Sequence, residues 1–400
     1  MPSALVLYHY FHPDDVVSAI HISELAEGLS ERGWDVTALP SNRGCRDESV
    51  TFPSRSERQG VRIRRVWRPR WRQASTLGRL GNLTWMLAAW SLAALRYRPD
   101  VLVIGTDPIL SLLAAIPWKL LRPRVKVVHW CFDLYPDAAI ADGVLRPRSL
   151  LARAARWLMR RAYARCDLIV DIGECMRSRI RQYAPGARFV TLTPWALAEP
   201  AKPLVPDLAE RSALFRAARL GLLYSGNLGR AHGCDRTLSL ARRLRDADVA
   251  FAFSVRGNAE AALRSALDGS GDNVQMHPFV AQNRLEDRLS AGDIHIVTLR
   301  DAWTGAVVPS KFFGALAVGR PVLFEGSPDS AVARWIHQFK VGWLLTAESE
   351  EAVAVELSNL SRDSAGLEDL FQHCHHVYAA HFSKQSVLDA WDRELRSLQL

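Results

Sequence analysis

Short apolar runs alternate along the whole chain with longer stretches in which apolar positions recur every three or four residues. The first rhythm fits buried strands and the second amphipathic helices. Strands are predicted over residues 4–10, 36–39, 61–67, 101–105, 125–130, 168–172 and 189–192, with helices over 18–32, 77–95, 149–165 and 174–183 between them. Strands alternating with helices in this way build a parallel sheet covered on both faces. Pro194, Pro200, Pro203 and Pro206 then crowd a stretch of weak periodicity, residues 196–214, which reads as a linker. A second series follows, with strands predicted over 220–224, 250–255, 274–277, 294–299, 322–324 and 342–345. Four hundred residues exceed what one hydrophobic core usually serves. The expected fold class is therefore α/β: two doubly wound, Rossmann-like domains facing a central cleft, residues 1–197 and 219–382, with a linker at 198–218 and a terminal helix within 383–400.

Two strand-to-helix turns in the second series have the chemistry of anion sites. In Thr304-Gly-Ala-Val-Val-Pro-Ser-Lys-Phe-Phe-Gly314, Pro309 suits the first helical position, leaving the next free amides, the Ser310 hydroxyl and the Lys311 ammonium at the helix start. Gly319 is expected to stop that helix, and Pro321 to lead into the next strand. Earlier, Ser225-Gly-Asn-Leu-Gly-Arg-Ala-His-Gly233 follows a predicted strand. Its glycines let the backbone approach a phosphate, and Arg230 offers a fork of donors. A single turn of this kind also serves simply to reverse a chain; two in one domain, each with a cation, point to a diphosphate.

Charge is spread unevenly. The formal net charge is +9, with 29 Lys and Arg against 18 Asp and Glu in residues 1–200, and 22 against 24 in residues 201–400. An acidic partner is thus expected on the first half. There, between Arg62 and Arg98, arginines such as Arg68, Arg70 and Arg72 mix with Trp67, Trp71, Trp85 and Trp90 around the apolar residues 83–95. That segment is too short to span a bilayer, which needs ~20 residues, and suits an interfacial helix or an ordinary solvated face. Arg153, Arg156, Arg160, Arg161 and Arg165 extend the basic surface, and no nucleic-acid motif accompanies it. Six scattered cysteines suit a reducing compartment, and no signal peptide is expected. His373-Cys-His-His376 cannot converge on one ion from a helix, where neighbours point about 100° apart, so no metal is expected.

Several motifs, in order, resemble a known family. They are Leu5-Val-Leu-Tyr-His-Tyr-Phe11 with residues 22–37, Asp133-Leu-Tyr-Pro-Asp137, Tyr224-Ser-Gly-Asn-Leu-Gly-Arg230, Ala291-Gly-Asp-Ile294, and Val308-Pro-Ser-Lys311 with Gly319-Arg-Pro-Val322. Together they resemble a GT-B glycosyltransferase of family 4, of the bacterial exopolysaccharide and O-antigen type, over essentially the whole length. The resemblance implies a nucleotide-sugar donor, UDP- or GDP-linked, held by the second domain, an acceptor held by the first, no cofactor or obligatory metal, retention of configuration, and a terminal helix crossing back onto the first domain. It implies diphosphate contacts at Gly226, Asn227, Gly229, Arg230, Gly305, Ser310 and Lys311, and nucleoside contacts at Arg256, Gly257, Phe279 and Val280. It also gives Asp133 a role in sugar recognition or as a base, unless Asp133 and Asp137 only cap a turn. Tyr135, Asp14 and Asp15 are the acceptor candidates; the last two alternatively open a helix. Relatives often carry a lysine shortly after the arginine, where His232-Gly233 stands here, and two glutamates where Ala306 and Gly314 stand. The expected function is transfer of a sugar to a lipid-linked saccharide by a cytoplasmic enzyme peripheral on an anionic membrane, the inner face of the plasma membrane, with no nucleic-acid partner. The alternatives are a sugar-nucleotide 2-epimerase or a degenerate nucleotide-sugar-binding partner.

Overall fold

The computed structural model describes residues 1–73, 75–267, 271–363 and 365–399. They divide into two units, Met1–Thr193 with Gly305–Val307 and Val387–Leu400, and Pro194–Thr304 with Val308–Ser386.

The first unit is built on eight strands: β1 (Ser3–Leu7), β2 (Asp35–Ala38), β3 (Arg55–Arg58), β4 (Val61–Arg64), β5 (Val101–Ile104), β6 (Lys126–Trp130), β7 (Leu168–Asp171) and β8 (Phe189–Thr191). Their order is β3-β4-β2-β1-β5-β6-β7-β8, with every pairing parallel except β3 with β4. The order reverses beside β1, which pairs β2 on one side and β5 on the other. Strand β3, Arg-Ser-Glu-Arg, has no apolar alternation and was not expected; it exists because Gln59 and Gly60, with φ of 47° and 75°, make a tight hairpin turn. The strand expected to reach Trp67 accordingly stops at Arg64.

Helix Thr76–Arg96 is capped by Ser75, whose hydroxyl accepts from the Gly78 amide at 3.0 Å. It buries Leu83, Met86, Trp90 and Ala94, and the Trp90 indole donates to the Leu39 carbonyl at 2.8 Å. The segment Val387–Leu400 completes this unit. Trp391 is fully buried edge-on to Trp130 at 5.2 Å, and Leu388 lies so near Gly28 that a Cβ there would be 2.5 Å from its Cδ1.

The second unit has six parallel strands, β9 (Leu220–Asn227), β10 (Val249–Arg256), β11 (Val274–His277), β12 (Ile294–Thr298), β13 (Val322–Glu325) and β14 (Gly342–Leu345), in the order β11-β10-β9-β12-β13-β14. This is the doubly wound order, in which ligands lie beyond the carboxyl ends of the strands flanking the reversal, here β9 and β12. The stretch expected to be a linker carries a helix, Leu208–Phe215, capped by Asp207. Its Leu214 and Phe215 are buried with Leu223, Ala250, Ala252 and Ala291, a contribution that two apolar residues in a proline-rich stretch do not advertise.

Candidate functional site

In the second unit, β9 runs to Asn227, three residues past its expected end, so Gly226 and Asn227 pair with Val255 and Arg256 of β10 and only residues 228–233 form the turn. Gly226 has φ of 136°, and a Cβ there would lie 2.6 Å from Lys311 Cε: the lysine stem crosses directly over the glycine. Its ammonium donates to the Asn227 carbonyl at 2.9 Å and lies 5.1 Å from the Tyr224 ring centroid. Burial lowers its pKa to about 8. The two cation-bearing turns, 84 residues apart, thus meet at the reversal of the sheet.

Lys311 begins a helix, Lys311–Ala317, that starts two residues later than expected: Ser310 is its cap, exposed and making no side-chain capping bond, and Pro309 precedes it. The helix ends as expected. Gly319, at φ of 78°, donates to Leu316 and Arg320 donates to Ala315, the double-bonded glycine stop.

The nucleoside candidates join the same cluster. Gly257, at φ of 129°, packs where a Cβ would meet Asn227 Oδ1 and the Leu228 carbonyl, both at 2.7 Å, and the Leu228 amide donates to the Arg256 carbonyl at 2.7 Å. The Arg256 guanidinium lies over the Phe279 ring at 4.1 Å, and Val280 beside it is half-buried. Gly229 faces Asn227 and Asn258, and Arg230 is exposed on the turn.

His232 is not a replacement cation. Its Nδ1–H donates to the Thr298 carbonyl at 2.6 Å, and burial, with the Lys311 charge, lowers its pKa to about 3. It is a neutral latch, joined by Arg300, which donates to the His232 carbonyl at 2.9 Å. Neither this latch nor the Tyr224 ring under Lys311 was expected, because aromatic and histidine positions in apolar sequence look like core.

Gly305 is grouped with the first unit, unlike the other diphosphate candidates. There, at φ of 76°, it lies so close to Cys175 that a Cβ would be 2.4 Å from that carbonyl oxygen. Ala306, also in that unit, is fully buried and accepts from the Leu134 amide at 2.8 Å. Gly314, by contrast, lies mid-helix with only Leu289 near, 3.7 Å from where a methyl carbon would sit. Gly314→Ala should therefore stabilise the chain by about 0.5–1 kcal/mol, read as a higher urea midpoint, since it relieves a helical glycine without a clash.

In the first unit, Asp133 follows β6, the sixth strand once the hairpin is counted, not the fifth. It lines a small pocket with His129, Tyr135, Thr106 and Ser111. Burial and the nearby Asp107 carboxylate push its pKa up to about 6. His129 is held neutral, its Nδ1–H donating to the Ile104 carbonyl at 2.9 Å and burial lowering its pKa to about 4. Asp107, three residues beyond β5, also lies 3.4 Å from His9 Nδ1; it is not among the residues expected from sequence, though an acid soon after a buried strand is a usable signal. Asp133 does not share a capping role with Asp137, which starts its own short helix, Asp137–Ala141, and accepts from the Tyr183 hydroxyl.

Asp14 and Asp15 do not open the helix Val17–Glu31, which has no side-chain cap and no acid in its first turn. Asp14 instead accepts from the Cys45 amide at 2.9 Å, and Asp15 pairs with Arg46 at 3.2 Å. The basic stretch is also partly absorbed into the fold: Arg68 is fully buried, donating to Asn82 at 2.8 Å, and Trp90 is core. Trp67, Trp71 and Trp85 form an edge-to-face group at 5.5 and 6.0 Å. Along helix Leu367–His381 the histidine-cysteine run diverges, His373 to the Phe339 carbonyl, Cys374 into the core and His375 to the Pro200 carbonyl.

Residues 18–196 match the family described as glycosyl transferase 4-like domain. The probable glycosyltransferase WbjE of Pseudomonas aeruginosa is 27% identical over 252 residues, a match spanning 62% of this chain and 62% of the relative's own length. Among solved structures, a sucrose-phosphate synthase from Thermosynechococcus elongatus aligns with a TM-score of 0.72 at 14% identity, covering 100% of this chain and 99% of that one. Anabaena HepE in complex with UDP and glucose aligns with a TM-score of 0.66 at 12% identity, covering 99% and 100%. At such identities these structures establish the GT-B fold alone.

Proposed function

We propose that this chain, whose residues 18–196 match the glycosyl transferase 4-like family, is a glycosyltransferase that moves a sugar from a UDP- or GDP-linked donor to a lipid-linked saccharide in cell-surface polysaccharide synthesis, with retention of configuration. The observation that carries the reading is the placement of the Lys311 ammonium across Gly226 at the reversal of a doubly wound sheet. A half-buried cation there, beside a turn carrying Arg230, suits a diphosphate leaving group, whose developing charge is the main electrostatic demand of the reaction. Arg256 on Phe279 offers a flat, cationic platform beside it for the base. Support for a sugar nucleotide also comes from the fold likeness to HepE, solved with UDP and glucose. In the first unit, Asp133 would take the acceptor hydroxyl or the transferred sugar, with Tyr135 beside it. The polypeptide acts from the cytoplasmic face, peripheral on an anionic membrane; no helix among the described residues is long and apolar enough to cross one.

The test is an incubation of the full chain with UDP- and GDP-sugars, with and without lipid-linked saccharide. Sugar appearing on the lipid fraction only when both substrates are present is the expected result. Release of an epimerised sugar nucleotide without acceptor would make the chain an epimerase. Donor binding without turnover would make it a degenerate partner, for which the absent carboxylates at Ala306 and Gly314 give a reason.

A further inference from the structure

A groove of about 510 Å³ in the first unit runs between the β3–β4 hairpin and the end of helix Thr76–Arg96. Arg55, Arg64, Arg65 and Arg96 line it, with Ser54 and Tyr97, and no carboxylate does. Arg55 and Arg64 stand directly opposite each other across the antiparallel pair, a like-charge arrangement that costs stability. Other arginines of the same hairpin are neutralised within the fold, Arg58 by Glu27 and Arg62 by Asp35, each at 2.6 Å. Among the described residues, no ion pair engages Arg55, Arg64 or Arg96. Arg65 is already oriented, donating to the Ser56 hydroxyl at 2.8 Å and the His12 carbonyl at 2.6 Å. Three uncompensated guanidinium groups around a groove, with a fourth held in place, form a site whose charge is completed from outside.

The helix on the groove's far wall shows what approaches. Its packed face is apolar, and so is its outer one: Leu77, Leu80, Leu92 and Leu95 are 83, 55, 65 and 62% exposed and fall on one stripe with Thr84 and Ala88. A surface helix normally turns polar residues outward. Trp67, 60% exposed, packs edge-on to Trp85 beside it. Outward leucines, tryptophan and a rim of arginine are the composition of a helix lying in the boundary between headgroups and acyl chains.

We propose that this groove is a seat for the phosphate of an anionic phospholipid headgroup, with helix Thr76–Arg96 lying in the interface above it. The proposal rests on the membrane-peripheral reading and adds to it a specific contact: a guanidinium fork pairs with two oxygens of either a carboxylate or a phosphate, but only the phosphate has a further acceptor oxygen with which to span a second arginine.

The experiment compares co-sedimentation of the full chain with vesicles containing phosphatidic acid and with vesicles carrying the same surface charge as oleate. The native chain prefers the phosphatidic acid vesicles. R55Q/R64Q abolishes that preference and lowers binding to them by more than about 100-fold, because specific charge-assisted contacts are lost with the charge. R96Q, on a different element, also reduces the preference, which guards against a local disturbance of the hairpin. R153Q/R160Q, on the exposed face of helix Leu150–Tyr163, lowers binding by about 30-fold on both vesicle types and leaves the preference intact, as expected for diffuse attraction to an anionic surface. Equal losses for the two double variants without any headgroup preference would overturn the seat while leaving membrane association standing. A native chain that ignores every vesicle overturns both. Release from phosphatidic acid vesicles by low-millimolar inorganic phosphate at constant ionic strength would make a soluble phosphate the occupant and overturn the lipid assignment.

Discussion

Replacing Lys311 by Met should weaken binding of the nucleoside diphosphate by about 10- to 150-fold and leave the affinity for the bare nucleoside nearly unchanged. The range follows from losing one charge-assisted contact worth roughly 1.5–3 kcal/mol. Methionine keeps an unbranched stem over Gly226 and the Tyr224 ring, so the change isolates the charge. The native protein should also show a distinctive pH dependence. Its free Lys311 titrates near pH 8, the protonated form is the one that binds, and a bound diphosphate raises that value. Affinity is therefore flat below about pH 8 and falls as pH rises from there, and the Met variant lacks the fall. Calorimetric titration of both proteins with nucleoside and nucleoside diphosphate measures this. Equal losses for the two ligands would remove Lys311 from the diphosphate.

Asp133→Asn should lower turnover by about 100- to 10,000-fold, the usual contribution of a positioned acid-base group, with donor diphosphate affinity unchanged. The shape of the side chain is kept; its charge and its capacity to take a proton are not. Burial and Asp107 hold the native carboxyl near 6, so kcat in the native chain should decline as pH falls through about 6, while the residual activity of the variant is level there. Asp107→Asn is a useful companion: removing the neighbouring charge should shift the acidic limb to lower pH without abolishing turnover. Undiminished turnover of the Asp133 variant at saturating donor and acceptor leaves Asp133 a wall of the pocket and nothing more.

What the sequence made legible divides along physical lines. Strands such as Val101–Ile104 and Leu168–Asp171 are buried on both faces, so their composition announces them, whereas Arg55–Arg58 is an edge strand specified by its turn and by ion pairs formed elsewhere. The helix Leu208–Phe215 hides because only its last two residues are buried. At the site, Lys311, Gly226, Arg256 and Phe279 could be nominated by residue type and motif order, and the fold brings these into one cluster. For Gly305 the sequence shows a glycine and no more; its left-handed backbone and its close approach to Cys175 are visible only in the fold. His232 likewise looks titratable until the Thr298 carbonyl and its burial are seen. The arginine stretch shows the same limit in reverse. Composition treats Arg68 and Arg64 alike, yet one is fully buried and the other lines an open groove.

Trp391 has a consequence for the order of events at the ribosome. The first unit fills its own core with Leu388, Trp391 and Leu395, residues that are translated after all of the second unit. Until they emerge, Gly28 and Trp130 face solvent where their packing partners belong. Domains usually fold as they are made, first unit first; this chain instead withholds completion of its first unit until the segment beginning at Val387 has been made. A chain truncated at residue 386 should be protease-sensitive around Gly28 and Trp130, and one extended through Leu398 should not.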